Sequence, residues 1–132
     1  MIGDIRFVLQ SSLDLGNYLK GSNSGYSDIQ TSERFIKVTI GAQNKGKVET
    51  ANYGWDVGNI IDSEGRIFSP ITNRAYYFLP KPDLCGASMK PEFALVSCVR
   101  MYEVSKKSEG VKIEVVNKLS GSPAVLMDLI LL

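Results

Sequence analysis

Histidine is absent from the chain, which removes the commonest general base and the commonest zinc ligand together. Catalysis of the Ser-His-Asp or Cys-His kind is excluded, and two cysteines fall short of the four nitrogen or sulfur ligands of a structural zinc site. A metal would have to be held by oxygen alone, and no Asp-rich loop of the calcium type occurs. No catalytic residue, metal or cofactor is expected. An excess of either charge is also lacking: 15 basic residues face 14 acidic ones, for a net charge of +1. No basic run exceeds Lys106-Lys107, so the grouped lysines and arginines that several backbone phosphates require are missing, and nucleic acid is not an expected partner. Long apolar runs are wanting as well. The C-terminal one, at residues 124–132, is interrupted by Asp128 and is about half the roughly 18 residues of a membrane span, so this chain is not expected to insert into a membrane.

What is present is the composition of an ordinary folded protein, 44% hydrophobic and 22% charged over 132 residues. That length suits one domain, residues 1–132, able to bury roughly two thirds of the surface of its unfolded chain. The start, Met1-Ile2-Gly3-Asp4, has neither the basic nor the apolar region of a signal peptide. Either the protein is cytoplasmic or a leader has been trimmed ahead of Met1.

The most informative stretch is residues 33–70. Ile36, Val38, Ile40 and Ala42 alternate with Lys37, Thr39 and Gln43, the period of two that places one strand face in a core and the other in water. Tyr53, Trp55, Val57 and Ile61 read as the inner face of a second strand, ended by the turn Asp62-Ser63-Glu64-Gly65, whose glycine can take a positive φ. Asn44 and Gly46 mark the turn between the two strands. Pro70, with no N–H for a central ladder, ends the third strand or puts it on an edge.

Elsewhere the signals are of the same kind. Ile5, Phe7 and Leu9 predict a first strand, followed over residues 11–31 by a long connection with one short edge strand near residues 14–19. Residues 71–91 are irregular, with two short strands expected among the prolines. In residues 93–104 two phases compete: Phe93, Leu95, Val99 and Met101 against Val96, Cys98, Tyr102 and Val104. Either a bulge near residues 97–100 reconciles them or the strand is buried on both sides for part of its length. Residues 105–110 read as a charged hairpin tip with Val111, Ile113 and Val115 as the return strand, and residues 124–132 as a final strand. Seven to nine strands with no segment of helical period predict an all-β, antiparallel, two-sheet sandwich. Its core is expected at Ile36, Val38, Ile40, Trp55, Val57, Val96, Tyr102, Ile113 and Val115.

The ordered series Asn44 and Gly46; Asp62, Gly65, Arg66 and Phe68; Lys90 and Pro91; and Tyr102, Glu103 and Val104 resembles the immunoglobulin-like domain of unknown function found in prokaryotic secreted proteins and lipoproteins, a relative of a secreted mycobacterial immunogen. The match spans about half of the chain. It departs at Glu92, where the family has glycine after Lys-Pro. The resemblance implies an immunoglobulin-like sandwich, location outside the cell or in its envelope, and no enzymatic activity.

With export implied, Cys85 and Cys98 become a candidate disulfide, the spacing allowing neighbouring strands or facing sheets to bring them together; the alternative is two buried free thiols. Tyr76, Tyr77, Phe78, Pro80 and Pro82 form the candidate interaction surface, since loops carry recognition on sandwiches and tyrosine is favoured at interfaces. Asp56, Asp62 and Glu64 are better read as turn and surface carboxylates than as a catalytic pair. The function that follows is a non-enzymatic binding module for an unidentified protein or surface ligand; the alternative is a purely structural domain of a larger surface or phage-like assembly.

Overall fold

Alternating apolar residues set the strands, and the way their buried faces meet sets the architecture. The computed structural model describes residues 1–21, 27–72, 78–119 and 123–132. In chain order the strands are β1 (Ile5–Asp14), β2 (Tyr18–Leu19), β3 (Ile29–Gln30), β4 (Arg34–Asn44), β5 (Trp55–Ile61), β6 (Ile67–Phe68), β7 (Val96–Val104), β8 (Lys112–Asn117) and β9 (Val125–Asp128). Every strand pairing is antiparallel, and no α-helix occurs among the described residues. One sheet has the order β1-β4-β7, a second β6-β5-β8-β9, and β2 and β3 pair with each other.

The two larger sheets share one apolar cluster. Ile36, Val38 and Ile40 of β4, Trp55 and Val57 of β5, Tyr102 of β7, and Ile113 and Val115 of β8 are buried in it, with Val96 packed at its margin. This is the core expected from alternation. Tyr102 also ties the sheets together by a polar contact: its hydroxyl donates to the Gly58 carbonyl at 2.7 Å, which supplies the partner a buried hydroxyl needs.

Several local expectations are corrected. Tyr53 does not share the inner face of Trp55: it precedes β5 in a left-handed turn, φ 60°, and is exposed. A bulge between Val57 and Ile60 turns Ile60, rather than Ile61, into the core. In β7 the register with β4 runs unbroken from Arg34↔Val104 to Ala42↔Val96, so there is no bulge, and burial on both sides is the answer. Tyr102 and Val104 face the main cluster, while Met101 joins Leu19 and Phe35 in a second one, to which β2 and β3 contribute.

β7 and β8 lie in different sheets, so residues 105–111 are an arch between sheets and not a hairpin. The arch is held by the β5–β6 turn: Ser108 Oγ donates to Asp62 Oδ2 at 2.6 Å, and the Ser63 N–H to the Glu109 carbonyl at 2.9 Å. Among the described residues of 71–91 no strand forms; Pro80 and Pro82 cannot donate to a ladder. The final strand covers only Val125–Asp128. Beyond it the chain crosses to β1, where the Leu132 N–H donates to the Ser12 carbonyl at 3.1 Å and the Asp14 N–H to the Leu132 carbonyl at 3.0 Å.

Candidate functional site

Residues 70–72 and 78–91 build one flank of the molecule, between β5 and β7. Pro70 bridges to Tyr102 and the Ile71 N–H donates to the Met101 carbonyl at 2.8 Å, so the chain joins the edge of β7 at one end. It returns over the flank as residues 78–91, pinned at several points. Cys85 and Cys98 are joined by a disulfide with Cα atoms 4.6 Å apart. Arg100 reaches Asp56 of β5 at 3.1 Å and Asp83 of the crossing segment at 3.1 Å. The Trp55 indole N–H donates to the Ala87 carbonyl at 2.8 Å, and Met89 is buried in the core.

Between this crossing segment and the strands lies an open groove of about 730 Å³, with Ile71, Leu79, Pro80, Pro82, Leu84 and Val99 among its walls. Its charged lining residues are Asp56 and Asp83 against Lys81 and Arg100, which cancel. The groove also presents backbone. Residues of one strand alternate the direction of their N–H and C=O groups, and the Met101 carbonyl points off the edge of β7 to meet Ile71. Val99 and Ser97 share that phase, so their N–H and C=O groups point off the same edge, and both residues line the groove. Among the described residues no backbone group bonds them there; the Cys85 sulfur lies 4.0 Å from the Val99 carbonyl oxygen.

Of the residues proposed for an interaction surface, Pro80 and Pro82 line the groove. Phe78 does not; it packs, partly buried, against the cluster of Leu19, Phe35 and Met101. Tyr76 and Tyr77 lie outside the described residues. Arg100 and, among the described residues, the unbonded edge of Ser97 and Val99 were not foreseen from the sequence. The signal for the first was there: Arg100 occupies the core phase of β7 between Cys98 and Tyr102, a place for a charge only if it has partners.

Asp62 has a structural role. Asp62 is buried, which alone would push its carboxyl up. Bonds from Ser108, from the Arg66 side chain and from the Arg66 and Glu64 N–H groups outweigh that and hold it well below the usual carboxylate range. Its role is to fasten the β5–β6 turn to the arch. Among the described residues no group of three or more His, Cys, Asp or Glu is placed to hold a metal. What the groove offers is apolar contact, four charged side chains that sum to zero, and backbone N–H and C=O groups.

A solved structure shares this fold. It is the crystal structure of a conserved hypothetical protein from Bacillus anthracis, with a TM-score of 0.60 at 11% sequence identity, covering 94% of this chain and 87% of that one. At that identity the likeness extends to the fold and carries no function across. No family model matches the chain, and neither does any curated protein.

Proposed function

We propose that the protein is a non-enzymatic, immunoglobulin-like β-sandwich of the cell envelope or extracellular space, which binds a partner protein by taking an extended segment of it into the flank groove. The strand order supports the immunoglobulin-like reading. β1-β4-β7 opposed to β6-β5-β8-β9 is the order A-B-E against C′-C-F-G of Greek-key sandwiches, and the strand in the C position carries a fully buried tryptophan, Trp55, as antibody domains do. The disulfide differs: Cys85–Cys98 fastens a loop to the E-position strand and does not join the two sheets. The absence of free cysteines suits an oxidising compartment. Freshly isolated, denatured, unreduced protein should then expose no reactive thiol, and two would refute location outside the cytoplasm.

The observation that carries the binding reading is the edge of β7. In a sandwich of this order a D strand would lie beside it, whereas among the described residues Ile71 provides the backbone bond at one end and the groove lies beside Ser97 and Val99. An extended peptide laid along Ser97 and Val99 would gain main-chain hydrogen bonds, with alternate side chains on the apolar walls, the mode of recognition by strand addition. The neutral lining favours an uncharged segment.

Random peptides displayed on phage and selected against the oxidised domain should converge on uncharged sequences that are apolar at alternate positions. Ser97→Pro removes an edge donor that takes no part in the β4 ladder and should weaken the selected peptides at least about tenfold, whereas Ser97→Ala should leave them within about twofold; that difference is one hydrogen bond. Selected peptides indifferent to Ser97→Pro, or a selection that fails, would refute the reading and leave the structural alternative.

A further inference from the structure

Arg100 stands where an arginine is costly. It holds the inward phase of β7 between Cys98 and Tyr102, both buried, and its own side chain is 19% exposed. A guanidinium keeps its proton, so at that depth it needs carboxylate partners. It has two, one on β5 and one on the segment that crosses the flank. Nη2 donates to Asp56 Oδ1 at 3.1 Å, and Nη1 donates to Asp83 Oδ2 and Oδ1 at 3.1 and 3.3 Å.

Both carboxylates are held in place for it. Asp56 Oδ1 also accepts the Val57 N–H at 2.8 Å, and Asp83 Oδ1 the Cys85 N–H at 3.0 Å. Cys85 is in turn joined to Cys98. The two residues that flank Val99 in β7 therefore both tether the crossing segment, Cys98 by the disulfide and Arg100 by the ion pair with Asp83. The wall is set beside the backbone edge of Val99 before any ligand arrives, and little order remains to be lost on binding.

The charges of the groove close on themselves. Among the described residues its charged lining is Asp56, Lys81, Asp83 and Arg100; Glu114, whose Oε1 accepts the Asn59 N–H at 3.0 Å, is not part of that lining. With Arg100 spanning both carboxylates, a cationic side chain entering the groove would meet acceptors already engaged, and an anionic one would meet cations that are likewise engaged. Either would give up water without gaining an equal partner. We infer that Arg100 is the specificity-determining residue of the groove: by engaging Asp56 and Asp83 it restricts the groove to an extended segment with no charged side chain against this wall. The inference rests on the flank groove being the binding site, and adds to that reading the residue that sets the chemistry of the ligand.

The test is peptide phage selection run in parallel on the oxidised wild-type domain, Arg100→Gln, Asp83→Asn and the variant carrying both changes. The charged lining sums to zero in the wild type, to −1 in Arg100→Gln, to +1 in Asp83→Asn and to zero again in the double variant. The enriched peptides should be uncharged on the first, carry lysine or arginine on the second, carry aspartate or glutamate on the third, and be uncharged on the fourth. A synthetic peptide from the Arg100→Gln selection should bind that variant at least about fivefold more tightly than the wild type at about 20 mM salt, with the margin shrinking at about 300 mM. An arginine that merely braced the wall would weaken every peptide alike and could not reverse the sign of the preference. Should Arg100→Gln fail to fold, Asp83→Asn, at a side chain 64% exposed, must by itself turn the selection acidic. Peptides that lose binding to Ser97→Pro yet keep one charge preference on every variant would overturn the inference and leave the groove reading standing. A wild-type selection that fails, or peptides indifferent to Ser97→Pro, would overturn the groove reading and this inference with it.

Discussion

Breaking the Cys85–Cys98 bridge is the perturbation whose size follows most directly from the chain. The cysteines are 13 residues apart in sequence. In the chain-entropy account, freeing a loop of that length returns about 3 kcal/mol of conformational freedom to the unfolded state. An unfolding entropy of about 2.1 cal/mol/K per residue gives roughly 280 cal/mol/K for 132 residues, so the midpoint should fall by about 11 °C. The bridged loop carries Met89 into the core and Ala87 onto the Trp55 indole, contacts that do not depend on the bridge, so the reduced domain is expected to remain folded at room temperature. Differential scanning calorimetry with and without a phosphine reductant, with full reduction verified by mass, measures the shift. A fall of less than about 2 °C would mean that the packing of residues 85–98 already confines that loop and that the entropic reasoning is wrong.

Asp62, with its lowered carboxyl, contributes stability that is present above the unfolded carboxylate value near 4 and is lost as pH falls through the folded one; Asp62→Asn should flatten the acid limb of a denaturation curve measured from about pH 5 down, and an unchanged limb would remove Asp62 from its cause. Burial, chiefly, raises the Tyr102 hydroxyl, so stability should decline as pH rises above about 10, where the unfolded tyrosine ionises. Tyr102→Phe, which leaves the Gly58 carbonyl without its donor, should cost about 1–2 kcal/mol at neutral pH by urea denaturation and remove that alkaline decline. Ile113→Ala, at a fully buried position of β8, should cost about 2–5 kcal/mol, and a loss under about 1 kcal/mol would contradict a shared core between the sheets. At Glu92, φ 61°, glycine should exceed alanine in stability by about 1 kcal/mol; both changes lose the Lys45 ion pair, so the difference isolates the backbone.

The sequence was most readable where one strand face meets the core and the other water. Ile36, Val38 and Ile40, or Ile113 and Val115, alternate without ambiguity, and turns such as 62–65 announce themselves by residue type. Their neighbours misled for physical reasons. Tyr53 keeps phase with Trp55, but periodicity does not reveal that a left-handed turn has begun. β7 looked out of phase because Met101 and Tyr102 are both buried, on opposite faces, and only the placement of Leu19 and Phe35 against Met101 accounts for it. The arch after β7 read as a hairpin because local charge cannot tell which sheet receives the next strand; that was decided by Ser108 meeting Asp62 from 46 residues away. In the groove, Pro80 and Pro82 were visible by type. The edge of Ser97 and Val99 was not, since backbone direction has no side-chain signature.

The edge of Ser97 and Val99 decides whether a strand can be added. Amide hydrogen exchange of the oxidised domain, with and without a peptide selected on it, reads each N–H separately. The amides of Ser97 and Val99 should exchange freely in the unliganded domain and become protected on binding, while that of Cys98, which faces β4, should be protected throughout. Protection of Ser97 and Val99 before any peptide is added, or a bound peptide that leaves their exchange unchanged, would contradict strand addition at this edge.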